Sequence, residues 1–121
     1  MKKIIIIFIM FLLLVGCSSN VTRNISGSDA LSLVENESAI LVDVRTSLEY
    51  QERHIKGAIN IPLNEIDSNI LESLIENKDK KIVIYCASGN RSSRAITIFE
   101  NYGYNNIYDL GSINNWGGEF E

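Results

Sequence analysis

The sequence predicts an α/β fold, a central and mainly parallel sheet with helices on both faces. Three observations lead there. The runs Ala39-Ile40-Leu41-Val42 and Ile82-Val83-Ile84-Tyr85 are apolar without alternation, the pattern of strands covered on both sides. Between and after them, apolar residues recur at helical spacing, so short strands and short helices alternate. At 121 residues, with no internal repeat or low-complexity tract, there is room for one such domain.

Met1-Lys2-Lys3 is a basic start, and residues 4–15 are twelve unbroken apolar positions, against roughly 20 for a membrane-spanning helix. With small residues following, residues 1–16 read as an export signal. Residues 17–28, rich in Ser, Asn, Thr and Gly, read as a polar tether ending in a short edge strand. About ten flexible residues span roughly 18 Å, which would keep a domain over residues 29–121 close to its anchor.

Within that domain Ser28 is expected to cap a first helix whose apolar positions are Ala30, Leu31, Leu33 and Val34. Residues 39–42 form a buried strand ending at Asp43-Val44-Arg45, and Thr46 or Ser47 caps a helical turn over 48–53. Ile59-Asn60-Ile61 is a second extended piece, closed by Pro62, the only proline. Ile66, Ile70, Leu71, Leu74 and Ile75 share one inward helix face. Lys78-Asp79-Lys80-Lys81 is a solvent-facing turn before the strand at 82–85. A helix capped by Ser92 or Ser93 then places Ala95, Ile98, Phe99 and Tyr102 on one face and stops at Gly103. Residues 106–109 make a last strand, and 111–116 a turn and short helix.

The chemistry concentrates at Cys86. A strand delivers this cysteine to the loop Ala87-Ser88-Gly89-Asn90-Arg91-Ser92, which opens a helix. Loop amides and a helix N-terminus together make a cradle for negative charge, here a thiolate or a persulfide. The loop residues are expected to act through backbone N–H groups, with Gly89 allowing a conformation that other residues resist. Arg91 and Arg94 flank the loop; Arg91 is expected to attract or orient an anion, and Arg94 either to do the same or to lie on a solvated helix face.

Charge and cysteine count narrow the classes. Eleven basic residues, less Lys2 and Lys3 on cleavage, leave nine against fifteen acidic, a net charge of −6. No basic face for nucleic acid is expected at that balance. Only two cysteines and one histidine are present, which makes a metal site improbable. Asp43, Arg45 and Glu49 are expected to pair and to support neighbouring loops, because an unpaired charge after a buried strand is costly. His54 is read as structural in the same way, and Trp116 as core packing or pocket wall.

Two resemblances extend this reading. Leu14-Val15-Gly16-Cys17 resembles the lipobox of bacterial lipoproteins. That likeness implies acylation of Cys17, cleavage before it, and a lipid anchor on the extracytoplasmic side of a bacterial cell membrane. Cys86 would then lack an intramolecular partner in a compartment where disulfides are expected, which suits a thiol in use. The second resemblance covers nearly all of the mature chain. Asp43-Val44-Arg45 with Glu49-Tyr50, the segment His54-Ile55-Lys56-Gly57-Ala58-Ile59-Asn60-Ile61-Pro62, the loop from Cys86 to Ser92, and Gly103-Tyr104 through Leu110-Gly111 to Trp116 resemble, in order, the motifs of the single-domain rhodanese sulfurtransferases. It implies a rhodanese-like three-layer fold. Four residues lie between Cys86 and Arg91, as in that family, whereas its phosphatase relatives have five and a wider cradle; an arsenate or phosphate-ester enzyme is thereby disfavoured. Gly111-Ser112 departs from the two glycines many members carry.

The resemblance implies that Cys86 takes sulfane sulfur from a donor such as thiosulfate, holds it as a covalent persulfide without other cofactor, and yields it to a thiol or to cyanide. A persulfide carrier serving a protein partner in a sulfur relay is the alternative.

Overall fold

A computed structural model describes residues 23–121 of the chain. The export signal, Cys17 and the tether up to residue 22 lie outside the described residues. Five parallel strands form one sheet in the order β1-β5-β4-β2-β3, from β1 (Arg23–Asn24), β2 (Ile40–Asp43), β3 (Ile59–Asn60), β4 (Ile82–Cys86) and β5 (Ile107–Ser112). Among the described residues four α-helices, α1 (Gly27–Asn36), α2 (Ser47–Glu52), α3 (Ser68–Leu74) and α4 (Asn90–Asn101), cover it with two 3₁₀ turns at Leu63–Glu65 and Ile113–Asn115. The sheet is parallel throughout and buried on both faces, as the unbroken apolar runs require.

Alternation along the central strands sorts the core into two layers. Val42, Ile82, Ile84 and Cys86 pack toward Leu71, Ala95, Ile96 and Phe99 on one side. Leu41, Val83 and Tyr85 pack toward Ala30, Leu110 and Trp116 on the other. Burying one such aliphatic or aromatic side chain contributes about 1.5–3 kcal/mol. Among the described residues no helix is long and apolar enough to cross a membrane.

Several boundaries differ from the sequence expectation, each for a local reason. Ser26, not Ser28, caps α1, its hydroxyl accepting from the Asp29 N–H at 3.2 Å. The helix starts early because Gly27 lies against the Asn115 carbonyl, where a Cβ would come within 1.9 Å of the oxygen. The folded unit therefore takes in β1 and the start of α1, residues grouped with the tether above. Asp67 caps α3, so Ile66 precedes the helix, and Leu74 is 50% exposed where an inward face was expected. On α4 the buried set is Ser92, Ala95, Ile96 and Phe99. Ile98 is half-buried and Tyr102 exposed, because the helix is rolled toward a face that brings small Ser92 under the loop. Thr46 does cap α2, with Glu49 returning to the Thr46 N–H in a full capping box.

Candidate active site

The site is built at the end of β4, where the parallel strands hand their C-termini to loops and helices. Cys86 is the last residue of β4, wholly buried, and packs among Val44, Ala95 and the α4 side of the core. Its Sγ accepts the Gly89 N–H at 3.0 Å, so the loop folds back onto the sulfur. Gly89 takes φ +100, the left-handed region that favours glycine, and this turn lets α4 begin one residue later.

Neither Ser92 nor Ser93 caps α4, contrary to the sequence expectation. Both lie inside the helix, Gly89 is the N-cap, and no side chain caps it. The Ser92 hydroxyl instead donates to the Gly89 carbonyl at 3.0 Å and pins the turn from within. From the neighbouring strand Ser112, aligned with Cys86, donates to the Ala87 carbonyl at 2.7 Å. Ser112 stood out in the sequence only as a departure from Gly-Gly; its place as the loop's second pin needs the β4–β5 register to be seen. A helix N-terminus without a side-chain cap, beside a thiol that already accepts an amide, suits an anion held at the sulfur.

The residues assigned separately to donor binding and to support meet in one ion pair. Arg91 donates to Glu49 through Nη1–Oε1 at 2.6 Å and Nη2–Oε2 at 3.0 Å, tying the first turn of α4 to α2. Arg91 holds the Glu49 carboxyl at about 2, down from 4.5, against the opposing effect of burial and with help from Thr46. In turn Glu49 raises the Arg91 pKa, burial opposes this, and the charge of Cys86 adds to the rise.

Asp43 and Arg45 form a buried pair beneath the β2–α2 junction. Asp43 Oδ1 accepts the Arg45 N–H at 2.8 Å, and Oδ2 accepts Nη2 at 2.8 Å. Arg45 Nη2 also reaches the Arg53 carbonyl at 2.5 Å. Burial alone would lower the Arg45 pKa, but its bonding to Asp43 leaves it raised. Burial, with Asp43 second, pushes the Tyr85 phenol up, and that hydroxyl accepts the Ile55 N–H at 3.1 Å. His54 stacks on Tyr50 at 3.7 Å, donates Nδ1–H to the Tyr50 carbonyl at 2.8 Å, and has Nε2 3.2 Å from Glu121 Oε2. Its partners are α2 and the C-terminal strand-like pairing of Ile55 with Phe120, not the Cys86 loop.

Beside the loop runs a groove of about 400 Å³, lined by Val44, Thr46, Pro62, Leu63, Asn64 and Ile98, with Arg91 and Arg94 on its α4 side. Cys86 does not line it. The Arg94 side chain is exposed and makes no ion pair or hydrogen bond with another described residue. Among the described residues there is no group of three His, Cys, Asp or Glu that could hold a metal ion.

The Glu49–Arg91 pair makes a testable clamp. The folded-state pKa of Glu49 is depressed, so the pair's contribution is present in full above about pH 4.5 and is lost as pH falls toward about 2. Glu49→Gln and Arg91→Ala should each lower turnover at Cys86 about fivefold at neutral pH, with equal losses for anionic and uncharged donors. Steady-state kinetics with both donor types checks this; a loss confined to the anionic donor in Arg91→Ala would show that Arg91 touches the donor instead.

The model of the family described as Rhodanese-like domain matches residues 26–119. A tRNA uridine(34) hydroxylase from Buchnera aphidicola is 32% identical over 95 residues, covering 76% of this chain and 30% of that protein. The Salmonella paratyphi B protein of the same name is 29% identical over 96 residues, covering 77% and 27%. The chain thus spans less than a third of the length of these curated relatives. Among solved structures, a Bacillus halodurans protein superposes with a TM-score of 0.72 at 31% identity, over 83% of this chain and 77% of that one. A rhodanese with anions from E. coli gives 0.64 at 29% identity, over 69% and 96%.

Proposed function

The chain belongs to the rhodanese-like domain family, and on that premise we propose that it is a sulfurtransferase working through a Cys86 persulfide. The observation that carries the reading is the Cys86 loop itself: a single thiol at a strand end, its sulfur bonded by the Gly89 amide, under a helix N-terminus that no side chain caps. The Cys86 thiolate attacks the outer sulfur of thiosulfate; the new S–S bond forms as the donor's S–S bond breaks and sulfite leaves with the electron pair. A thiol or cyanide then takes the outer sulfur and returns the thiolate. Lowering a thiol pKa by two units near neutrality gains only about 2–4-fold in attack rate, since nucleophilicity falls alongside. The loop amides therefore serve chiefly to hold charge on the persulfide and the departing group. The anions bound by the E. coli relative support a site of that kind.

Hydroxylation, named for the tRNA-modifying relatives, is not carried over, because the chain spans only 30% and 27% of those proteins. A second reading, a carrier that loads sulfur and passes it to a protein partner without efficient turnover, is favoured by the complete burial of Cys86. Initial-rate kinetics separates the two. Parallel double-reciprocal lines for thiosulfate against cyanide, with sustained turnover, are expected of the enzyme; stoichiometric loading with slow discharge to every small acceptor would favour the carrier.

The domain is proposed to work on the extracytoplasmic side of a bacterial membrane, tethered by a lipid on Cys17. The support is the sequence Leu14-Val15-Gly16-Cys17 after the apolar run. Two or more acyl chains hold a protein stably on a bilayer, whereas one binds reversibly. Cys17→Ser should abolish detergent-phase partitioning of the mature protein and leave the signal uncleaved. Unchanged partitioning and unchanged mature mass in that variant would reject the tether.

A further inference from the structure

We propose that Ser112 is a positioning residue for sulfur transfer: by holding the Ala87 carbonyl it aims the Ser88 N–H at the charge on the outer sulfur of the Cys86 persulfide. The inference rests on the sulfur-transfer reading and adds to it a residue outside the loop, on the neighbouring strand. Ser112 stands where many members of the family carry a second glycine, so the hydroxyl is no general feature of the family. The β4–β5 register is what puts it there. Ile84 pairs with Asp109 but Tyr85 pairs with Gly111, so Leu110 is an extra residue on β5. Such a bulge re-aims the side chains beyond it. Without the extra residue Gly111 would stand opposite Cys86 and Ser112 would fall on the other face; with it Ser112 shares the face of Cys86. The bulge is held in place. Gly111 takes φ +75, its N–H donates to Asp109 Oδ1 at 2.8 Å, and the Leu110 carbonyl accepts from Asn115 Nδ2 at 2.8 Å.

The hydroxyl is oriented as well as placed. Ser112 Oγ accepts the Asn114 N–H at 3.1 Å, and its own proton goes to the Ala87 carbonyl at 2.7 Å. A trans peptide is planar, with its C=O and N–H pointing opposite ways. Fixing the Ala87 carbonyl toward β5 therefore points the Ser88 N–H away from β5. The next amide, Gly89 N–H, already bonds Sγ at 3.0 Å, whereas the Ser88 N–H donates to no described residue. The outer sulfur of a persulfide lies one bond beyond Sγ and bears the negative charge, so the two successive amides divide between the two sulfurs. A dipole already aimed costs no reorganisation when the charge arrives.

The test is made on the full chain in zwitterionic nanodiscs, by amide NMR and by the rate of loading from thiosulfate. Loading should move the Ser88 N–H resonance downfield, as a new hydrogen bond to an anion does. Ser112→Ala should shrink that movement and leave the Gly89 response unchanged. It should also slow loading about tenfold, the lower end for one hydrogen bond to a charged group. Ser112→Thr, which keeps the hydroxyl, should restore both. A wild-type chain that gains sulfur with the Ser88 resonance unmoved overturns the role of Ser112 and leaves sulfur transfer intact. So does loading of Ser112→Ala at the wild-type rate, or a Ser112→Thr variant as slow as Ser112→Ala. Loss of the Ser88 and Gly89 responses together in Ser112→Ala would show a loop merely loosened, and overturns the aim in the same way. A wild-type chain that gains no sulfur overturns the inference together with the transfer reading.

Discussion

Cys86→Ser should remove the proposed sulfur transfer, by on the order of 10⁴-fold or more, the scale on which a covalent nucleophile acts. A serine hydroxyl is not ionised near neutral pH and cannot carry sulfane sulfur. The exchange is nearly isosteric, and the Gly89 N–H that now bonds Sγ at 3.0 Å can bond Oγ in its place. The packed layer of Val44, Ala95 and Phe99 is untouched. The variant should therefore keep its thermal midpoint within a few degrees while losing transfer, so calorimetry and kinetics on one preparation separate chemistry from folding. Retained transfer would move the reaction away from Cys86 altogether.

The second large effect is on stability and comes from Asp43→Ala. Asp43 accepts from the Arg45 backbone and guanidinium and is wholly buried, with Arg45 only 7% exposed. Removing the carboxylate leaves a buried cation with the Arg53 carbonyl as its remaining polar contact. Breaking one side of a buried pair costs about 3–5 kcal/mol, a large part of the 5–15 kcal/mol that holds a domain together. For a domain of this size that is a fall in midpoint of roughly 12 °C or more. Replacing both partners, Asp43→Ala with Arg45→Met, should recover much of the loss, since a buried pair and an apolar substitute are often close in stability. A double variant as unstable as the single one would show that the backbone bond from Arg45 N–H to Asp43, rather than the stranded charge, sets the cost. Denaturant melts of the two variants decide.

Much of the architecture was legible because the signals are local. The unbroken runs at residues 39–42 and 82–85 become β2 and β4, Thr46 caps the helix that follows it, and Gly89 sits where a left-handed turn is needed. What was misread depends on partners far along the chain. Ser28 was read as the cap of the first helix, but Ser26 takes that place, where Gly27 meets the Asn115 carbonyl. On α4, two faces share Ala95 and Phe99, and periodicity alone does not say that the helix rolls toward Ile96 and away from Tyr102. Leu74 has the right spacing and the wrong neighbours. At the site, Glu49 and Arg91 were both noticed but not joined, because 42 residues separate them and only the parallel β2–β4 pairing brings α2 and α4 together. Ser112 reaches the Ala87 carbonyl 25 residues away through the β4–β5 pairing.

The central claim is that sulfur travels through Cys86, and the mass of the chain tests it most directly. Full-length protein is incubated with thiosulfate, digested without reductant, and the peptide containing Cys86 is weighed before and after a thiol is added. The account predicts the mass of one extra sulfur atom on that peptide, its disappearance on adding the thiol, and no such gain in Cys86→Ser. A Cys86 peptide unchanged by thiosulfate and by polysulfide, in protein shown to be folded, would contradict it.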